Sequence, residues 1–291
     1  RTEPIFPKSK LHEPPFLFSF FPSRARRFHR RSHARAPRRL REIRRALVLR
    51  AGQAAEAVEQ FKIALRLAPG RPMAYNNLAG ALAKLGRTDE ALEQAKAALK
   101  LSPDYPEAHF NLGTGLLRSG QATAAITHFE AAVRLQPNYP EAFANFGAAL
   151  LQAGRPADAV PRYEEAVRLK LDYTEAHYGL ALAQQQLGRL VAAVEHYEAA
   201  LRLRPDYAEA HNNLGVTLLR LRRGPEAIEH YRAALEARPD YTEAHNNLAC
   251  ELSAKGRLAE ALRHFDESIR LRPDNAVAHS NLGNALRDAG R

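Results

Sequence analysis

A chain of 291 residues with 45% hydrophobic and 26% charged residues has the make-up of a globular protein, which excludes collagen-like and low-complexity classes. No stretch reaches the roughly 18 to 20 consecutive apolar residues that span a bilayer, and a lone cysteine, Cys250, excludes an internal disulfide or a multi-cysteine metal site. The net charge of +11 is local, because residues 1–50 hold 15 Lys/Arg against 3 Asp/Glu while the rest of the chain holds 28 against 29.

The first segment, residues 1–37, has no hydrophobic period, and five prolines fall before Ser23. It reads as a disordered Arg/Pro-rich arm. Twelve arginines lie between Arg24 and Arg50 with a single acid, Glu42. A nucleic-acid partner is not expected; Arg24–Arg50 is the one stretch whose charge could hold nucleic acid or an anionic surface by counterion release, the remainder being neutral. The apolar patch "FLFSFF" precedes these charges, the reverse of a secretory signal, so a cytoplasmic protein is expected.

Beyond this arm the chain repeats. Prolines fall at 69, 103, 137, 205, 239 and 273, separated by 34 residues or twice that, and Leu171 stands at the one missing beat. A fixed period of this length marks an array of supersecondary units. With Pro72 as place one, units begin at 38, 72, 106, 140, 174, 208, 242 and 276, the last stopping after 16 residues. The unit at 38 is the weakest, because "RLREIRRALVLR" sets Arg41, Arg44 and Arg45 on places that should be apolar. Only its second helix, "AAEAVEQFKIALRL", is expected to dock.

In the units that follow, places 4, 7, 8 and 11 hold sets such as Tyr75/Leu78/Ala79/Leu82 and His211/Leu214/Gly215/Leu218, one face of a helix. Places 20, 24 and 27 do the same with Ala125/Phe129/Ala132 and Ala227/Tyr231/Ala234, so each unit is expected to hold a second helix. Asp104/Glu107, Asn138/Glu141, Asp172/Glu175, Asp206/Glu209 and Asp240/Glu243 read as capping boxes that open the first helices. Glycine at place 15 (Gly52, Gly86, Gly120, Gly154, Gly188, Gly256, Gly290) is expected to end them in the left-handed region. Arg222 is the exception; the glycine moves to Gly224, and a distorted turn is expected there. One hairpin cannot bury its apolar face alone, so stacked neighbours must supply the core. The fold expected is all-α, an α-solenoid of about seven helix-turn-helix units plus one extra C-terminal helix over residues 38–291.

The phrase "HNNLGVTLL…AIEHYRAALEARP" resembles the tetratricopeptide repeat: a bulky residue, Leu-Gly, a further large residue, then Ala, aromatic, Ala and Pro. The resemblance covers roughly residues 38–291. It implies a right-handed superhelix whose first helices line a concave groove for protein or peptide. The phrases "NNLG" and "SNLGNALRDAG" are similar to the repeat arm of O-linked N-acetylglucosamine transferases and of bacterial proteins built like them. That family implies an asparagine ladder that holds extended polypeptide, followed by a sugar-nucleotide-dependent catalytic domain; no residues of such a domain lie within these 291.

Place 6 carries the matching residues: Asn77, Asn111, Asn145, Asn213, Asn247 and Asn281, with Gly179 as the gap. Asparagine costs roughly half a kcal/mol or more relative to alanine within a helix. Its carboxamide offers a donor and an acceptor to a peptide backbone and ignores side chains. Alternatively these asparagines lie on a wet face or pair with each other, and recur through duplication. The leading expectation is a peptide-binding scaffold without catalysis, and the alternative is the recruiting arm of a protein O-glycosyltransferase whose catalytic domain lies beyond residue 291.

Other chemistry finds no footing. Nine of the twelve histidines are periodic, His109, His177, His211, His245 and His279 at place 4 and His128, His196, His230 and His264 at place 23. Same-place histidines are too far apart to share one metal, and none of these nine pairs with another at i+3 or i+4, so helix packing is expected and no metal. Cys250 at place 9 reads as a groove-wall residue. Phosphate loops, nucleophile elbows and cofactor motifs are absent from the sequence, so neither enzyme nor cofactor is expected.

Overall fold

In the computed structural model, residues 38–289 are described, with side chains from Gly52 onward. Residues 1–37, expected to be a disordered arm, and the last expected turn glycine, Gly290, lie outside the described residues. Among the described residues every element is a helix. They divide at Arg155/Pro156 into two compact units.

The first unit contains α1 (Arg38–Leu67), α2 (Pro72–Lys84), α3 (Thr88–Leu101), α4 (Pro106–Arg118), α5 (Ala122–Leu135) and α6 (Pro140–Gln152). Helices α2/α3 and α4/α5 are antiparallel hairpins, and α1 packs on α2, α3 on α4 and α5 on α6. The second unit contains α7 (Pro156–Leu169), α8 (Thr174–Gln186), α9 (Leu190–Leu203), α10 (Ala208–Arg220), α11 (Gly224–Ala237), α12 (Thr242–Ala254), α13 (Leu258–Leu271) and α14 (Ala276–Asp288). Its hairpins are α8/α9, α10/α11 and α12/α13, with α7 packed on α8 and α14 on α13 and α12.

The expected core positions are buried. Leu78, Ala79, Leu82, Ala91, Ala95 and Ala98 close the first hairpin, and Leu214, Leu218, Ala227, Tyr231 and Ala234 close the hairpin α10/α11. Small residues are required where the hairpins touch: a Cβ on Gly113 would lie 2.9 Å from the Phe129 ring, and one on Gly215 2.6 Å from Tyr231. That close approach lets the aromatic at place 24 fill the volume opposite the glycine at place 8.

Three local expectations are corrected. First, α1 runs through Gly52 without a turn, so residues 38–67 form one helix and not a hairpin. Glycine at the turn place permits a break but does not impose one. The stretch expected to dock does so, with Val58 buried against Leu78, Ala81, Leu82 and Ala91 and flanked by Phe61 and Leu65.

Second, the capping boxes do not form. The helices start later than the acidic residue, with Tyr105, Tyr139, Tyr173, Tyr207 and Tyr241 at the N-cap and no side-chain cap bond. Asp then falls one place outside the helix and Glu falls at the second helical position, one residue out of register for the reciprocal pair. The displaced acid works elsewhere: Glu175, Glu209 and Glu243 pair with Arg204, Arg238 and Arg272 at the end of the second helix of the same hairpin. The one side-chain cap found at these starts is Asn275, whose Oδ1 accepts from the Ala278 N–H at 3.4 Å.

Third, the turn at Arg222 is not distorted. Gly86, Gly120, Gly154, Gly188 and Gly256 have φ of 73 to 75°, and Arg222 adopts the same region at φ 61°. The turn bonds survive, with Arg223 N–H donating to Leu218 O at 2.9 Å as Arg189 N–H does to Gln184 O at 2.9 Å. A non-glycine residue carries roughly 1 to 2 kcal/mol of strain in this conformation. Gly224 instead opens α11 against the Glu251 carboxylate, where a side chain would clash.

Candidate functional site

The first helix of each hairpin presents place 6 on the side away from its partner helix, and here the asparagines form cross-repeat bonds. Asn111 Nδ2 donates to Asn76 Oδ1 at 2.8 Å, Asn247 Nδ2 to Asn212 Oδ1 at 2.9 Å and Asn281 Nδ2 to Asn246 Oδ1 at 3.1 Å. Each acceptor lies 35 residues upstream, at place 5 of the preceding repeat. Asn213 finds Tyr178 at that place and donates to its hydroxyl at 2.8 Å. Upstream of Asn145 place 5 is Phe110, which accepts nothing, and the amide turns to Thr114 Oγ1 at 3.1 Å. This answers the helix penalty of asparagine: a second helix recovers it.

Place 5 is in turn held by the tyrosine at place 34. Asn76 Nδ2 donates to Tyr105 Oη at 3.5 Å, and Asn212 bonds the Tyr241 hydroxyl. Where place 5 is aromatic the rings pack, Phe110 on Tyr139 with centroids 5.0 Å apart and Tyr178 on Tyr207 at 4.8 Å. The Arg204 and Arg238 guanidiniums lie 4.6 Å over the rings of Tyr207 and Tyr241. Burial and the nearby Glu209 carboxylate push both phenols well above their usual range, so they stay neutral donors.

One amide proton each of Asn111, Asn145, Asn213, Asn247 and Asn281 is thus committed sideways. Asn77 is exposed, Asn111, Asn213, Asn247 and Asn281 are half-buried, and Asn145 is 5% exposed. The gap at Gly179 has a steric cause: a Cβ there would overlap the Tyr163 ring. The candidate residues therefore fall into two runs, Asn77/Asn111/Asn145 in the first unit and Asn213/Asn247/Asn281 in the second. Arg118 and Arg220 at place 13 also reach back, donating to the Ala83 and Gln185 carbonyls at 2.8 and 3.2 Å. Cys250 is half-buried, and burial pushes its thiol up to about 11, which suits a packing residue and not a reactive thiolate.

Sequence reasoning missed the histidine pairs. Place 4 and place 23 of one hairpin, 19 residues apart, face each other: Nδ1 to Nδ1 is 3.1 Å for His109/His128 and 3.0 Å for both His211/His230 and His245/His264. The His177 and His196 rings also stack, at 5.7 Å. The place-4 ring is anchored by its Nε2–H, which donates to the carbonyl six residues upstream, Pro103, Leu171, Pro205, Pro239 or Pro273, at 2.9 to 3.1 Å. That anchor makes Nδ1 of the place-4 ring the acceptor and Nδ1–H of the place-23 ring the donor. Burial, then the facing ring, lowers the pKa of His128, His196, His230 and His264. The signal was present in the sequence as two histidines at constant offset within one antiparallel hairpin.

Family models described as tetratricopeptide repeat match residues 47–106, 81–140, 145–208 and 185–242, and a TPR repeat model matches 251–290. The chain belongs to the tetratricopeptide repeat family. The TPR array is similar to solved structures of the same fold. YrrB, a TPR protein with an unusual peptide-binding site, is 26% identical, with 64% of this chain and 96% of that one covered and a TM-score of 0.55. MamA from Desulfovibrio magneticus RS-1 is 26% identical over 58% of this chain and 96% of its own, with a TM-score of 0.54. The Cut9–Hcn1 hetero-tetramer of APC/C shares the fold alone, at 18% identity, 83% and 48% coverage and a TM-score of 0.71. No curated protein matches the chain. Among the described residues no helix is long and apolar enough to cross a membrane, and no group of three or more His, Cys, Asp or Glu is placed to hold a metal ion.

Proposed function

We propose that this TPR protein is a binding scaffold for extended polypeptide, held on the first-helix face by the place-6 asparagines. The observation that carries the reading is the half-used carboxamide. In Asn111, Asn247 and Asn281 one N–H is fixed by the preceding repeat, which orients the side chain, while Oδ1 has no hydrogen-bond partner among the described residues. A backbone N–H of a bound strand supplies the missing donor, and the second amide proton meets a backbone C=O. Adjacent repeats lie about 10 Å apart and an extended chain advances ~3.3 Å per residue, so one asparagine meets about every third ligand residue. YrrB, with its peptide-binding site, supports a peptide ligand for this fold. Recognition through backbone groups makes the scaffold tolerant of ligand sequence. A cytoplasmic site of action belongs to the same proposal.

The test is selection of ligands from a displayed random peptide library, followed by affinity measurements against Asn213→Ala, Asn247→Ala and Asn281→Ala singly and combined. A loss of about tenfold or more for the triple variant, with the helical circular dichroism kept, supports the ladder. Undiminished affinity in a folded triple variant removes it. The second reading, a substrate-recruiting arm of a protein O-glycosyltransferase, rests on the similarity of the "NNLG" phrases and the regular recurrence of place-6 asparagine. It predicts that selected ligands carry serine or threonine acceptor sites far above their library frequency.

A further inference from the structure

The facing histidines do more than a packing role requires. We propose that each pair, His109/His128, His177/His196, His211/His230 and His245/His264, is a two-imidazole binding site for a borderline divalent transition-metal cation, with Cu(II) held most tightly.

Distance is the first argument. Two imidazole nitrogens bound at roughly 2.0 to 2.1 Å lie about 3.3 Å apart around a tetrahedral ion and about 2.9 Å apart at cis positions of a square-planar one. The Nδ1 pairs at 3.0 to 3.1 Å fall between these limits. The second argument is the anchored ring. Each place-4 histidine donates Nε2–H to a backbone carbonyl, the outer bond that fixes tautomer and orientation in metal-binding imidazoles, and so turns its Nδ1 lone pair toward the facing ring. The third is independent of these: Nδ1 of His177 is buried and has no hydrogen-bond partner, while its Nε2 is held on Leu171 O at 3.1 Å. A buried lone pair with nothing to accept, facing a second imidazole, is suited to bind a cation.

On binding, the place-23 ring moves its proton from Nδ1 to Nε2 through solvent, so both Nδ1 lone pairs meet the ion and no net proton is lost from a neutral pair. Waters complete the coordination. Among the described residues, the facing His109 is the titratable group that acts on His128. Glu226 and Glu229 near His230, and Glu260 near His264, favour a cation, opposed by Arg223 and Arg232. Imidazole suits Zn, Cu and Ni, and Cu(II) leads in affinity among them.

The same chain shows that these places tolerate other side chains, since the repeat at 72 has Tyr75 and Gln94 there. His→Gln at place 23 therefore copies an existing repeat. The experiment uses the full chain, metal-free, in a non-coordinating buffer near neutral pH, titrated with Cu(II) by calorimetry and followed by electron paramagnetic resonance. His12, His29 and His33 of the N-terminal segment add a constant background. Expected is loss of one equivalent of tight Cu(II) for His128→Gln, and of four for His128→Gln/His196→Gln/His230→Gln/His264→Gln, each lost site weakened at least tenfold. A folded quadruple variant that takes up as much Cu(II) as the parent overturns the proposal. Should that variant unfold, substoichiometric Cu(II) on the parent chain decides: selective broadening of the paired histidine ring resonances supports the sites, and broadening confined to the N-terminal histidines overturns them.

Discussion

The two units are built from one repeat but are stitched by different forces. In the first, place 31 is Ala68, Ser102 or Gln136, and the single histidine pair among the described residues is His109/His128. In the second, place 31 is Lys170, Arg204, Arg238 or Arg272, the three arginines each bridged to a first-helix glutamate, and three histidine pairs face each other. The aromatic core is shared; the polar stitching is not. A repeat frame needs its apolar places filled in every copy, whereas polar places are free to diverge, so sensitivity to pH and salt is expected to concentrate in the second unit.

The largest effect tests what the units share. Phe129→Ala empties a fully buried ring site in the first unit and is expected to cost about 3 to 5 kcal/mol by denaturant unfolding. Amide exchange should show the loss in α4 and α5 before α10 and α11; equal acceleration everywhere would mean the units do not open separately. Overpacking comes next. Gly179→Ala forces Tyr163 aside and is expected to cost about 1 to 3 kcal/mol, whereas Gly283→Ala, with nothing within 4 Å of its Cβ, should be neutral or better.

Two substitutions are expected to raise stability. The Tyr231 hydroxyl is buried with no hydrogen-bond partner, and Phe129 and Phe265 already fill that place, so Tyr231→Phe should gain about 1 kcal/mol. Arg222→Gly, relieving φ 61°, should gain about 1 kcal/mol, read as a higher melting temperature.

The pH prediction follows from the place-23 histidines. Their folded pKa values lie below the unfolded value, so the unfolded chain binds protons first, and the stability they supply is complete above about pH 6.5. It is lost as the pH falls from that value through the lower folded pKa values. Exchange protection in the second unit, with three pairs, should fall more between pH 7 and 5 than in the first; equal loss would place the acid sensitivity elsewhere. The smallest effect is Glu209→Gln, which breaks a half-exposed bridge to Arg238 and should cost up to about 1 kcal/mol, less at high salt.

The apolar frame was legible in the sequence because its information is local. A period of 34 and helical spacing within it named Leu78, Phe129 and Ala132 as core without reference to any neighbour, and five of the expected turn glycines, Gly86, Gly120, Gly154, Gly188 and Gly256, lie at positive φ. What sat one residue from a boundary was not legible: Asp104 and Glu107 have the letters of a capping box, but the helix starts at Pro106 and takes them out of register. The asparagines were visible as candidates, and their partners were not, since Asn111 meets a residue 35 places upstream through the stacking of two helices. The histidine pairs lay 19 residues apart, a distance that becomes 3 Å only when a hairpin folds back on itself. By itself the sequence determined the repeat, the helices and the core, because these depend on side-chain type at a fixed spacing. Tertiary structure alone decided which polar groups meet, because hydrogen bonds need two partners placed to within tenths of an ångström, and that placement is a property of the packed helices.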